Sequence, residues 1–358
     1  MKRFAPHVPR SGHDRSLACA PHGDVALPRR RALLLAAAGL VAGAAVLRPS
    51  AAHAQVSPVA DDSLLRIAPE PGKGFTYPYF LHVPQSLRAQ GGRAMILVLP
   101  NNTGKLGDDL QLHEADARRR MLPFASAGSP LAKMAEQLGV AVLKPVFPRP
   151  ESHWKIYTHA LDRDVMTTDD AAYRRLDLQL IAMIDDACER LARSGIVAGE
   201  QVFLQGFSAS GMFANRFVFL HPERVKAAVI GSPGGWPIAP VAEHQGRPLR
   251  YPLGVADFAE VAGKPLDLER LRKVPMFLYL GDRDDNDSLT FTDGYEPEDK
   301  ETAFAVLGTT PVARWDTARA LYGSAGLDAS FKLYPDTGHT VTKEAIADIV
   351  AFLMRHRG

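Results

Sequence analysis

Apolar residues in this chain gather in short, continuous runs. Residues 94–99 read Ala-Met-Ile-Leu-Val-Leu, and comparable runs recur at 140–146, 202–205, 225–230 and 276–280. Runs this short and this uniformly apolar are the signature of strands buried on both faces of a parallel sheet. Residues 75–83 alternate enough to predict an earlier strand, and 331–334 predict a last short one. Between the runs, residues 131–138, 174–193 and 341–356 carry helical patterns. Strands alternating with helices predict an α/β fold: a mostly parallel central sheet, helices on both faces, and a ligand site at the carboxyl ends of the strands. Residues 104–128 are charged and predict surface, and 148–168 predict a loop containing Trp154, Tyr157 and His159. Residues 235–273 are longer than a simple connection and carry Trp236, Tyr251 and Phe258. An insertion of that length predicts a cap over the site. Trp154, His159 and Trp236 are the candidate substrate-binding residues.

The junction between the 202–205 run and the helical pattern after it holds the most specific chemistry. It reads Gln205-Gly206-Phe207-Ser208-Ala209-Ser210-Gly211. A serine flanked at two residues' distance by Gly206 and Ser210, between a strand and a helix, is the pattern of a nucleophile elbow. The turn is so tight that only small residues fit at those two positions. The usual motif ends in glycine, and Ser210 is a departure from it.

A serine hydroxyl is a weak nucleophile until a base takes its proton and an acid orients that base. Candidates for both follow Ser208 in the order acid, then histidine. On these residues the chain resembles the α/β-hydrolase superfamily, in particular its esterase and polyester-depolymerase-like branches, from about residue 75 to the end. The resemblance implies an α/β-hydrolase fold and a Ser-His-Asp triad. It selects His339, in Asp336-Thr337-Gly338-His339, as the base after the last strand. It selects Asp284, in Gly281-Asp282-Arg283-Asp284, as the acid, with Asp287 the runner-up. The same Asp-rich stretch also suggests a calcium loop, but the sixth position of such a loop wants glycine and holds Asp287. For the oxyanion, the backbone amide of Ala209 is one expected donor. The other is expected from the Pro100-Asn101-Asn102-Thr103-Gly104 loop, with Asn102 preferred to Asn101. Similar enzymes carry His-Gly there, so this loop departs from their pattern.

The implied reaction is hydrolysis of a small or oligomeric carboxylic ester, a hydroxyalkanoate among them, with no cofactor and no metal. The rivals are an acyltransferase or amidase on the same fold, and a non-catalytic binding protein. The formal net charge of +2 gives no reason to expect nucleic acid as a partner. Pro28-Arg29-Arg30-Arg31 precedes an apolar stretch over 32–46 and then Ala52-His53-Ala54. That order reads as a cleaved export signal over residues 1–54, twin-arginine in type, with residues 55–358 as one domain. It predicts a bacterial periplasmic or secreted protein and a transient partner in the twin-arginine or general export machinery. Of the two cysteines, Cys19 lies in the leader and Cys188 in the helix over 174–193, so no intramolecular disulfide remains to the mature chain.

Overall fold

The computed structural model describes residues 64–357. The export signal, its twin-arginine stretch, Cys19 and residues 55–63 lie outside the described residues.

The chain enters through β1 (Leu64–Ile67) and β2 (Tyr79–His82), then α1 (Gln85–Gln90), β3 (Gly92–Val98), α2 (Leu110–Ala125), α3 (Pro130–Leu138) and β4 (Val140–Pro145). Next come α4 (Arg163–Thr167), α5 (Leu176–Arg193), β5 (Ile196–Ala198), β6 (Val202–Phe207), α6 (Ala209–Leu220) and β7 (Val225–Gly231). The 235–273 insertion holds a small hairpin, β8 (Glu243–His244) with β9 (Arg247–Pro248), and two short helices, α7 (Phe258–Ala262) and α8 (Leu268–Leu271). The chain closes with β10 (Met276–Gly281), α9 (Pro297–Val306), α10 (Pro311–Ser324), β11 (Ala329–Tyr334) and α11 (Lys343–Arg355).

The main sheet runs β1-β2-β4-β3-β6-β7-β10-β11, with β5 pairing to β3. The β1–β2 and β2–β4 pairs are antiparallel and all the others on this path are parallel. Alternate residues of each strand serve opposite faces. Ile96, Val98, Leu204, Ala228, Ile230 and Leu278 face a core with Leu180 and Ile184 of α5, Phe213 and Phe217 of α6, and Tyr322 of α10. Leu97, Phe203, Val229 and Phe277 face the other way, onto Met121 of α2, Met134 of α3, and Ile349 and Phe352 of α11. The expected α/β-hydrolase arrangement is the one observed: a mixed, mostly parallel sheet covered on both faces.

Two of the expected elements differ from the sequence reading. The charged stretch over 104–128 contains the sixteen-residue α2, which buries His113, Ala117, Met121 and Phe124 along one stripe and leaves its arginines to solvent. The stripe is narrow, so average polarity concealed it. The strand predicted over 75–83 forms only over 79–82, with Phe75 making an isolated bridge to Glu70, because Pro78 cannot donate to a ladder. The 235–273 insertion packs into a third apolar cluster, in which Trp236, Leu249 and Leu253 meet Ala209 and Met212 of α6.

Candidate active site

The site starts from the turn between β6 and α6. Ser208 has φ 61° and ψ −130°, a conformation that costs a non-glycine residue about 1–3 kcal/mol. The fold holds it there. The Ser208 amide donates to the Gly231 carbonyl of β7 at 3.0 Å, and the Ser208 carbonyl accepts from the Met212 amide at 3.0 Å. A Cβ on Gly206 would sit 1.9 Å from the Ser210 carbonyl oxygen, so the turn admits nothing larger than glycine there. Ser210 is accommodated because its hydroxyl folds back onto the turn. Its Oγ accepts from the Phe207 amide at 3.0 Å and donates to the Phe207 carbonyl at 2.8 Å. The departure from the usual glycine therefore adds a local clamp.

The loops after β10 and β11 form the second half of the site. Asp282 N–H donates to the Tyr334 carbonyl, Arg283 N–H to the Thr337 carbonyl, and Thr337 N–H to the Asp282 carboxylate. At Gly281 the backbones approach so closely that a Cβ would lie 2.1 Å from the Thr337 carbonyl oxygen. The lacing brings Asp284 to His339. Nδ1 of the imidazole lies 2.9 and 3.0 Å from the two carboxylate oxygens. Burial favours the protonated acid at Asp284. The His339 imidazole, the Ser232 hydroxyl and the Asn286 amide outweigh it and hold the carboxyl below the ordinary carboxylate range. The His339 ring rests on the ring of Phe207, centroids 4.7 Å apart, and Phe207 is the residue before Ser208. Among the described residues, no hydrogen bond joins Ser208 Oγ to His339. In unliganded sites such bonds are often long and tighten only with substrate bound.

Asp287 has a different place. Its Oδ1 caps the turn at Leu289 and its Oδ2 pairs with the buried Arg314 at 2.6 Å. Arg314 in turn donates to the carbonyls of Gly235 and Gly308. Asp287 thus fastens the start of the 235–273 insertion, and Asp284 is the carboxylate at the histidine.

At the start of α6, the Ala209 amide belongs to the first turn, whose N–H groups have no intrahelical acceptor and point out of the helix end. Across from it, the loop after β3 is anchored by side chains. Asn101 is buried, and its amide group bonds both ways to the Phe147 backbone, at 2.8 and 3.1 Å. That side chain is committed inward. Asn102 is half-buried and its Oδ1 accepts from the Gly104 amide at 3.1 Å. Lys144 of β4 is buried and donates to the carbonyls of Leu99 and Pro100 at 3.1 and 3.4 Å. Burial pushes its ammonium down to about 7.

Two of the three expected substrate contacts are elsewhere. His159 is fully buried, and its Nε2 lies 2.9 Å from the Phe147 carbonyl and 3.1 Å from Asn101. Burial lowers this imidazole to about 3, so it is neutral, with Nε2–H donating to Phe147. It supports the loop after β3 from below. Trp236 is 1 % exposed and its indole N–H donates to the Leu253 carbonyl inside the insertion. Neither ring is open to a substrate. Trp154 is exposed, with the Lys155 ammonium 5.8 Å from its ring centre.

Sequence reasoning missed Lys144, Phe207 and the inward role of Asn101. A lone lysine inside the apolar run over 140–146 was the available signal. Cys188 is half-buried on α5, and burial raises its thiol. Among the described residues, no cluster of three or more His, Cys, Asp or Glu is placed to hold a metal ion, and no helix is long and apolar enough to cross a membrane.

The fold and the elbow define the class: an α/β-hydrolase fold with a serine at the elbow and an Asp–His pair at the ends of the next-but-one strand and its neighbour. No protein-family model and no curated protein sequence matches the chain. Among solved structures it is similar to a poly(aspartic acid) hydrolase-1 from Sphingomonas sp. KT-1, at 19% identity over 78% of this chain and 93% of that one, with a TM-score of 0.49. It is also similar to a poly(3-hydroxybutyrate) depolymerase from Bordetella parapertussis, at 20% identity, 78% and 90% coverage and a TM-score of 0.48. An S-formylglutathione hydrolase from Agrobacterium tumefaciens aligns at 14% identity, 82% and 95% coverage and a TM-score of 0.43.

Proposed function

We propose that this chain is a serine hydrolase that cleaves carboxylic esters through an acyl-enzyme. The observation that carries the reading is the bond between Asp284 and His339, made on loops that set the imidazole against the residue next to Ser208. With Nδ1–H donated to Asp284, the remaining ring nitrogen is the one free to act as base. His339 takes the Ser208 proton as Oγ attacks the acyl carbon. Asp284 stabilises the imidazolium, and the Ala209 amide, with an amide of the Asn101–Asn102 segment, receives the oxyanion. His339 then protonates the leaving alcohol, and water, activated by the same imidazole, releases the acid. Each amide donor to the oxyanion is worth about 3–4 kcal/mol in chemistry of this kind.

The proposed substrates are acyl esters, hydroxyalkanoate oligomers included, and the proposed location is outside the cytoplasm, on the sequence of residues 28–54 alone. A fluorophosphonate probe is expected to label the wild type and to leave Ser208→Ala unlabelled. A chromogenic ester panel, from acetyl to long acyl, is expected to show turnover that the same substitution abolishes. Undiminished ester turnover by Ser208→Ala would overturn the assignment.

A further inference from the structure

A cleft, open to solvent on one side, lies on the α2, α3 and α11 side of the sheet, and neither Ser208 nor His339 lines it. It has a volume of about 460 Å³, within the usual range of small-molecule sites. Its walls are apolar: Phe124 of α2, Leu131 and Met134 of α3, Ile346 and Ile349 of α11. Polar groups meet it at the sheet. Lys144 reaches it from β4 and Gln205 from β6, and Arg119 and Arg120 stand at the α2 side.

The polar groups are unequally satisfied. Arg119 and Arg120 share the carboxylate of Asp116. Lys144 has no such partner: among the described residues its ammonium meets only the Leu99 and Pro100 carbonyls, which leaves one of three N–H donors unused. The Gln205 Oε1 atom is buried and makes no hydrogen bond. A buried cation without a counter-ion is costly, and this one faces the cleft.

We propose that this cleft binds an amphipathic carboxylate, its head group paired with Lys144 and its hydrocarbon tail packed between α3 and α11. A carboxylate supplies the missing counter-charge, and the tail covers walls that offer no hydrogen bonds. Neutral alcohols of the same length lack the first contribution. The charged groups around Lys144 are Arg119, Arg120 and Asp116 of α2; the lining residues from α3, α11 and β6 carry no charge. With Asp116 already shared by two arginines, the balance around the ammonium is positive and favours an anion. The cleft is lined also by Pro100 and by Gly206, Phe207 and Ser210 of the elbow, but the proposal does not depend on ester hydrolysis.

Calorimetric titration of the full chain at pH 6, where Lys144 carries its proton, with octanoate and with octanol tests it. Octanoate is expected to bind, and octanol at least tenfold more weakly. Lys144→Met is expected to weaken octanoate at least tenfold. Ile346→Trp, which adds bulk at the solvent-facing apolar rim on α11, is expected to do the same and covers the case in which Lys144→Met does not fold. Ser208→Ala is expected to leave the affinity unchanged, which separates this site from the acyl site. Absence of binding at millimolar octanoate overturns the proposal, as does binding insensitive to Ile346→Trp or equal binding of octanol. Failure of the fluorophosphonate labelling would sink the hydrolase reading and leave this one standing.

Discussion

Ser208, Asp284 and Lys144 show how much a single position is asked to do. Asp284 fixes both the tautomer and the direction of the His339 ring, since both carboxylate oxygens lie at hydrogen-bond distance from Nδ1. Asp284→Asn keeps the shape and loses the charge. It is expected to lower kcat on esters by about 10⁴-fold with KM little changed, measured by steady-state kinetics on a soluble ester. Lys144 carries a different signature. Its folded value near 7 lies below that of an unfolded lysine, so the folded state binds fewer protons than the unfolded one above pH 7. Stability tied to this residue therefore rises with pH from about 7 to about 10. Relative to Lys144→Met, the wild type is expected to gain up to about 1.4 kcal/mol per pH unit in that window. Urea unfolding of both proteins at pH 6.5, 8 and 9.5 measures it, and parallel pH profiles would contradict the buried charge.

Among the elements, the strand–turn–helix at β6 and α6 was legible in the sequence because its demands are local. Gly206, Ser208 and Ser210 stand at fixed offsets, and the apolar run before them ends where the turn begins. Gly206→Ala forces a Cβ onto a backbone oxygen that cannot move without opening α6. It is expected to cost about 3 kcal/mol or more and to appear as loss of soluble, folded protein or a lowered Tm. Ser210→Ala removes only the clamp on Phe207 and is expected to cost about 1 kcal/mol, read in the same melt. The central parallel strands β3, β4, β6, β7 and β10 were equally visible, as their runs are largely apolar on both faces, whereas the short β5, with Val197 exposed, gave no such signal. What could not be read was anything that depends on long-range pairing. The buried stripe of α2 is hidden under arginines, and the interior positions of His159 and Trp236 follow from what the loops fold against. An aromatic ring in a loop near a site looks the same in sequence whether it faces substrate or props up a neighbouring turn. The acid was narrowed to Asp284 and Asp287 by position, and only the tertiary contacts with His339 and Arg314 divide them.

Across the whole molecule, the ion-paired buried carboxylates Asp177 and Asp186 set the acid limit. Asp177 of α5 is fully buried and holds Arg175 and His221, the latter at 2.8 Å. Asp186, about two and a half turns further on, accepts from Tyr79 at 2.7 Å and from Arg190 at 2.6 Å. At both, burial favours the neutral acid, and the bonds from these partners outweigh it and hold the carboxyl below its ordinary range. Depressed acids contribute stability above the unfolded value of about 3.9 and lose it as pH falls through the folded value. The chain is therefore expected to unfold cooperatively below about pH 4, followed by circular dichroism. Asp177→Asn is expected to cost about 3–5 kcal/mol at neutral pH in urea denaturation, because it strips the charge facing Arg175 and His221. The stitching between the segments that follow β10 and β11 reaches further. Asp284 and His339 ride on a single platform, so a distant substitution that shifts either segment carries both together. Damage would then be felt as a wrong aim toward the elbow, not as a broken pair, and compensating changes are to be sought on the β6 side.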